Sequence, residues 1–427
     1  MLLVAPCLFI TYSCSFDETI DLDGPSVDAI NENATKSQLN QLVVGIESQL
    51  RNSMGSITTG TMARDLYIFN AEPRNRSLWL GANGATLNPI GGVWDNRYRN
   101  IKNVNLLLNA VANTEVLTDA EANGYIGFAN TIYAYELIRL IKVYDQARID
   151  VSDPEALGPI LGFDEVLARS RTLLDEALTN LNTSGDAFEF TLSEGFEDFN
   201  SPATFAQFNR AIAAVAALYA EDGTGVLSEL SNSYFDLDGD LTTGPKHFFG
   251  LGGGDQINPS FRVPSEEEKP NNGDQIIVHN SFITEAEAGD LRVERKTVLR
   301  PDPVSLDGLN GTHESSLYTS RISPIDIIRN EELILVYAEA NILAGNLAEA
   351  QTALNVIRSS AGLPDYSGAA TADALTTEML LQRRYSLWFE GHRMFDLRRY
   401  GLSDTLPIDR PGDQIFNLFP IPLEERQ

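Results

Sequence analysis

Two helical periods, 324–344 and 346–361, meet at Gly345-Asn346, and both are rich in alanine. In EELILVYAEANILAGNLAEAQTALNVIRSSAGLP the apolar residues recur at three- and four-residue steps, the mark of helix. Alanines at 338, 340, 344, 348, 350 and 353 let the two helices approach closely. One such hairpin cannot bury its own apolar face, so it predicts neighbours of the same kind.

Helical periodicity also fits 37–54, 91–112, 119–144, 163–181, 203–221 and 373–400. A Thr118-Asp119 start with Glu121 close behind reads as a helix cap. The hairpin has the look of a tetratricopeptide unit, and the fold class expected is mostly α, a tetratricopeptide-like scaffold of helical pairs. Two stretches break the period. Residues 55–90 are rich in Gly, Asn, Pro and Arg and read as loop. Residues 223–323 crowd Gly, Pro, Asn and Asp, with short strand candidates at Ile276–Val278 and Thr297–Leu299. A stretch that long without period is more often functional than a linker. The chain therefore divides into an N-terminal helical region at 34–222, an irregular insertion at 223–323 and a C-terminal helical region at 324–427.

The N-terminus carries a different signal. Met1 to Tyr12 is apolar but too short to span a bilayer, and it resembles the core of a secretory signal. Ser13-Cys14 follows, then Asp17-Glu18. A small residue before a cysteine at the end of an apolar run is a lipoprotein signal, so residues 1–13 are expected to be removed, Cys14 acylated and 14–33 left as a tether. No Lys or Arg precedes the run, and Thr11 stands where Leu is usual. Cys7 and Cys14 are the only cysteines, so a chain starting at Cys14 has no disulfide and no cysteine metal site. Sixty acidic against 31 basic residues give a net charge of -29, which disfavours nucleic acid and anionic lipid as partners.

The segment EMLLQRRYSLWFEGHRMFDLRRYG, Glu378 to Gly401, closely resembles the C-terminal signature of the SusD/RagB family. The helix GGVWDNRYRNIKNVNLLLNA at 91–110, Tyr337-Ala338-Glu339-Ala340 and Phe419-Pro420-Ile421-Pro422 agree with it in order. The resemblance implies a helical scaffold carrying a less regular insertion that helps form a ligand site. It implies a lipid-anchored protein exposed on the outer membrane and no catalysis or cofactor. Its partners would be an oligosaccharide, or sometimes a peptide, and a SusC-like TonB-dependent transporter. On one helix, Glu390 and Arg393 can pair, as can Asp396 and Arg399, giving a buried ion-pair network. Glu390, His392 and Asp396 have catalytic residue types, but neighbours on a helix do not converge in a cleft.

Sugars are gripped by flat aromatic faces and planar polar side chains. The stretch 64–88 offers Tyr67 and Trp79 as a platform, with Asp65, Arg76 and Asn83 as hydroxyl partners. Phe248 and Phe249 form a second candidate. Asp236, Asp238 and Asp240 alternate as in a calcium loop, but Leu241 and His247 stand where glycine and Glu are required, so no metal is expected. Two rival functions remain: a glycoside hydrolase, since 60 acidic residues leave a facing carboxylate pair open, and a protein-interaction scaffold without glycan affinity.

Overall fold

Helix starts are written into capping residues. Thr35 with Gln38, and Thr118 with Glu121, each exchange side-chain bonds with the other's backbone N–H. Such boxes satisfy donors that have no partner inside a helix. Ser201 caps the helix that begins with Pro202, whose missing N–H costs nothing there. The computed structural model describes residues 27–51, 56–82, 91–153, 155–269 and 273–426.

In chain order, α1 (Val27–Asn33), α2 (Lys36–Leu50) and α3 (Ser56–Met62) precede β1 (Leu66–Asn70) and α4 (Arg74–Trp79). Then come α5 (Gly91–Asn113) and α6 (Asp119–Tyr144), the strand pair β2 (Gln146–Arg148) and β3 (Ile160–Gly162), and α7 (Phe163–Leu181), α8 (Pro202–Tyr219) and α9 (Gly223–Leu230). The insertion holds β4 (Lys246–His247), β5 (Asp274–Val278), α10 (Asn280–Thr284), α11 (Leu291–Lys296), β6 (Thr297–Leu306) and β7 (Leu309–Ser315). The chain returns through β8 (Ile325–Asp326) to α12 (Asn330–Ala344), α13 (Leu347–Ser360), α14 (Ala372–Ser386) and α15 (Arg393–Arg399).

The long helices pack in sequence order, α5 on α6, α6 on α7, α7 on α8 and α8 on α9. α9 then packs on α12, and α12 on α13 and α14, so the stack continues past the insertion. This is the mostly helical, paired scaffold the hairpin predicts. Ala338, Ala340, Ala350 and Ala353 are fully buried, whereas Ala344 and Ala348 at the hairpin tip are exposed. Gly345 closes α12 in the left-handed conformation (φ 78°), which glycine adopts without strain. A Cβ on Gly127 would stand 2.6 Å from Leu181 Cγ and 3.2 Å from the Ala177 carbonyl, so this glycine sets the approach of α6 to α7.

Two readings are corrected. Residues 56–82 are not loop. They form α3, β1 and α4, and β1 pairs antiparallel with β5 from Leu66–Val278 to Asn70–Asp274. The resulting sheet, ordered β1-β5-β7-β6, ties the insertion to the N-terminal region. A five-residue strand whose partner lies so far along the chain leaves little local trace. The last helix also does not run unbroken from 373 to 400. It stops at Ser386, turns through 387–392, and restarts at Arg393. Phe389 (φ 68°) and Gly391 (φ 79°) both take left-handed backbone there. Gly391 does so freely, while Phe389 pays a steric cost that its buried ring must offset.

Gly127→Ala is expected to lower stability by about 1–3 kcal/mol, the cost of overpacking a close helix contact. Urea unfolding of the variant beside the wild-type chain measures it.

Candidate ligand-binding site

The C-terminal turn is fixed by charge. Arg383 on α14 donates to Asp396 on α15 at 2.8 and 3.2 Å, with both side chains almost fully buried. Arg399 bridges Asp396 at 3.4 Å and Glu339 on α12 at 2.8 Å. Burial pushes the Asp396 carboxyl up, but Arg383 and Arg399 outweigh it and hold it below its ordinary value. The network is the one expected, with a different pairing for Glu390. The turn carries Glu390 to Arg329 rather than to Arg393, and Arg393 instead reaches Asp65 at 3.2 Å.

The residues expected to hold a ligand are mostly internal. Tyr67 is 2% exposed and packs with Phe69, Leu80, Ile277 and Leu309. Its hydroxyl donates to Asp409, and burial together with that carboxylate pushes the phenol well up. Arg76 is buried, donating to Asp307 at 2.9 Å and to the Ile68 and Asn70 carbonyls at 3.0 and 3.1 Å. Asp65 is buried against Arg393, and its carbonyl accepts from the Trp388 indole at 3.2 Å. Trp79 joins the main apolar core at 9% exposure. Asn83 lies outside the described residues, as does Cys14. The physical reason is β1: once 66–70 is a strand in a covered sheet, its aromatics become core. As for the other candidates, Phe248 and Phe249 are half-buried. Asp236 and Asp240 cap their own turns, accepting from the Asp238 and Thr242 N–H groups. Among the described residues no three His, Cys, Asp or Glu side chains are placed to share a metal, and no helix is long and apolar enough to cross a membrane.

Several recesses lie among the described residues, one of them at the C-terminal turn and one on the insertion. An internal chamber of about 110 Å³ lies behind the C-terminal turn. Its walls come from α5, α6 and α8, from 318–328, and from Phe389–His392. An open groove of about 580 Å³ lies on the insertion, lined by Ile257, Asn258, Phe261, Arg262, Val263, Asp274 and Arg321, with Pro259 between. Asn258 pins the groove: its backbone N–H donates to the Arg321 carbonyl and its amide to the Ser323 carbonyl, both at 2.8 Å. Arg262 pairs with Asp274 at 2.8 Å. Ile257 and Val263 are about half exposed, at 50% and 53%, and the Phe261 ring is half-buried between them. Sequence reading missed this groove, because one phenylalanine in a Pro- and Gly-rich stretch has no period to mark it.

Stacked helical pairs carrying an irregular lobe are also the fold of solved SusD superfamily proteins. The sequence model of the SusD family matches residues 305–421. A SusD superfamily protein from Parabacteroides distasonis superposes with a TM-score of 0.69 at 20% identity, covering 92% of this chain and 97% of that one. Surface glycan-binding protein A from Bacteroides thetaiotaomicron, in complex with laminarihexaose, gives 0.70 at 16% identity over 91% and 97%. NanU from B. fragilis gives 0.68 at 16% over 95% and 97%. No curated protein sequence matches. The C-terminal region matches the SusD family model, and the whole chain shares the fold of these solved SusD-type proteins.

Trp79→Ala should lower stability by about 3–5 kcal/mol, as for a large core side chain, read from its urea unfolding midpoint. Arg383→Met should cost about 3–5 kcal/mol by stranding Asp396, with most of it recovered in Arg383→Met/Asp396→Leu; denaturant titration of the three proteins checks both.

Proposed function

We propose that this protein captures oligosaccharide at the cell surface and binds it in the groove of the insertion. The observation that carries the reading is the groove itself. A half-buried aromatic face lies beside planar Arg262, Asp274 and Arg321 groups at the end of the inner strand β5. Aromatic faces suit the C–H surface of a sugar ring, and planar polar groups suit adjacent hydroxyls. The shared fold with a glycan-binding protein that holds laminarihexaose supports it. In this reading Asp65, Tyr67, Arg76 and Trp79 act from behind the site. They fix β1, and β1 pairs at Asn70 with Asp274 on the groove wall.

The role is binding rather than hydrolysis. Glu390 and Asp396 are tied to arginines, and a general acid and base need to face a substrate across a cleft. Delivery to a TonB-dependent transporter and anchoring on the outer membrane through acylated Cys14 complete the proposal. They rest on the signature and on the N-terminal sequence.

Phe261→Ala and Arg321→Ala should each weaken oligosaccharide binding about tenfold, roughly 1.4 kcal/mol, with the melting temperature nearly unchanged. Calorimetry against a polysaccharide panel reads this; unchanged affinity in both variants would move the site elsewhere. Cys14→Ala should shift the protein from the membrane fraction to the soluble one, since several acyl chains at roughly 0.8 kcal/mol per buried methylene are ample for attachment.

A further inference from the structure

The chamber behind the C-terminal turn gathers polar side chains that the protein leaves unanswered. Lys142 from α6, Glu332 from α12 and His392 from the turn all line it, with the ring hydroxyl residues Tyr135, Tyr219 and Tyr318. Among the described residues none of the six side chains has a hydrogen-bond partner for its polar end. The His392 Nδ1 is buried and unbonded, and the Glu332 carboxylate stands 3.8 Å from it, beyond hydrogen-bond reach. His392 and Glu332 are 9% and 6% exposed. Burial holds the Lys142 ammonium, which lies 6.0 Å from the Phe395 ring centre, down to about 8 and the Glu332 carboxyl up to about 6.

Buried polar groups without partners are costly, and charged ones more so. The buried His392 Nδ1 and Glu332, with buried Tyr219 and half-buried Lys142, Tyr135 and Tyr318 on the same wall, call for a polar occupant. Size decides which. A cavity of ~150 Å³ takes a benzene, so a space of about 110 Å³ is too small for a pyranose with its hydroxyls. At ~30 Å³ of liquid volume each, it has room for about four waters. We infer that the chamber is an internal water site: a cluster of ordered waters completes the hydrogen bonding of Lys142, Glu332, His392 and the three tyrosines. Those waters join α6, α8 and α12 to the Phe389–His392 turn, which has no direct hydrogen bond to Lys142 or Glu332. Water is also the occupant most able to serve this mixed wall, because it donates to Glu332 and His392 Nδ1 and accepts from Lys142.

A high-resolution crystal structure of the full chain tests this without any substitution. About four ordered waters, each touching two or more of the six side chains, would support it. A dry chamber, or density for an organic solute in it, would overturn it. Water relaxation dispersion supplies a second reading in solution. The wild-type chain should show long-lived internal waters that Lys142→Met/Glu332→Leu loses; an identical dispersion profile in both proteins would also overturn it. Glu332→Gln, which keeps the hydrogen-bonding capacity, should retain the waters.

Discussion

The Arg383–Asp396 pair holds two helices on either side of a sharp turn, and the rest of the C-terminal region is arranged around it. Asp396 also meets Arg399, which extends to Glu339 on α12. Arg329 meets Glu331 at the start of α12 and Glu390 in the turn. Arg393 meets Asp65 just before β1. Each pair joins the turn to a different part of the chain, so the turn is oriented from three sides at once. Such pairs add little net stability over apolar isosteres, because desolvation offsets their attraction. Their effect lies in what they exclude. A packing that separates any one of them leaves a buried charge alone.

Arginine is the residue that makes this arrangement workable, and its burial has a consequence for the outside. Arg64, Arg76, Arg97, Arg210, Arg292, Arg300, Arg329, Arg358 and Arg383 are all buried. Guanidinium groups tolerate such sites because five donors in a planar fork reach several acceptors together. Much of the chain's limited positive charge is thus spent inside. Several of their carboxylate partners, among them Asp175, Glu229, Glu287 and Asp307, are at least a quarter exposed. The surface keeps more of the acidic residues than of the basic ones, and the field outside remains strongly negative. Against that field, Arg321 stands exposed on the insertion groove.

The helical scaffold was legible because its signals are local. Thr118 with Glu121 marks a start, Gly345 marks a stop, and the alanines of the hairpin mark a close contact. Each acts within a few residues. The signature segment was legible as chemistry but not as geometry. Its charges predicted a buried network, yet a helical period carried through Phe389 and Gly391 hid the turn, and so Glu390 was given the wrong partner. Residues 64–88 failed for the opposite reason. Aromatics among Asn, Pro and Arg look exposed when no period explains them, and the pairing of β1 with β5 that buries Tyr67 and Phe69 is a contact between distant segments. No pattern inside five residues announces such a partner.

That strand pairing also fixes the wall of the insertion groove. Its wall at Asp274 is the end of β5, held by β1 on one side and continued through β7 to β6 on the other. β1 in turn begins beside Asp65, whose carboxylate meets Arg393 and whose carbonyl meets Trp388. The path from groove wall to signature turn therefore runs through one sheet and one charged contact, with no loop between them. The opposite wall, Asn258 to Val263, is tied back through Asn258 to Arg321 and Ser323. A site built this way loses little side-chain entropy at its base when a ligand binds. The freedom that remains lies in Arg321, which stands exposed on the groove.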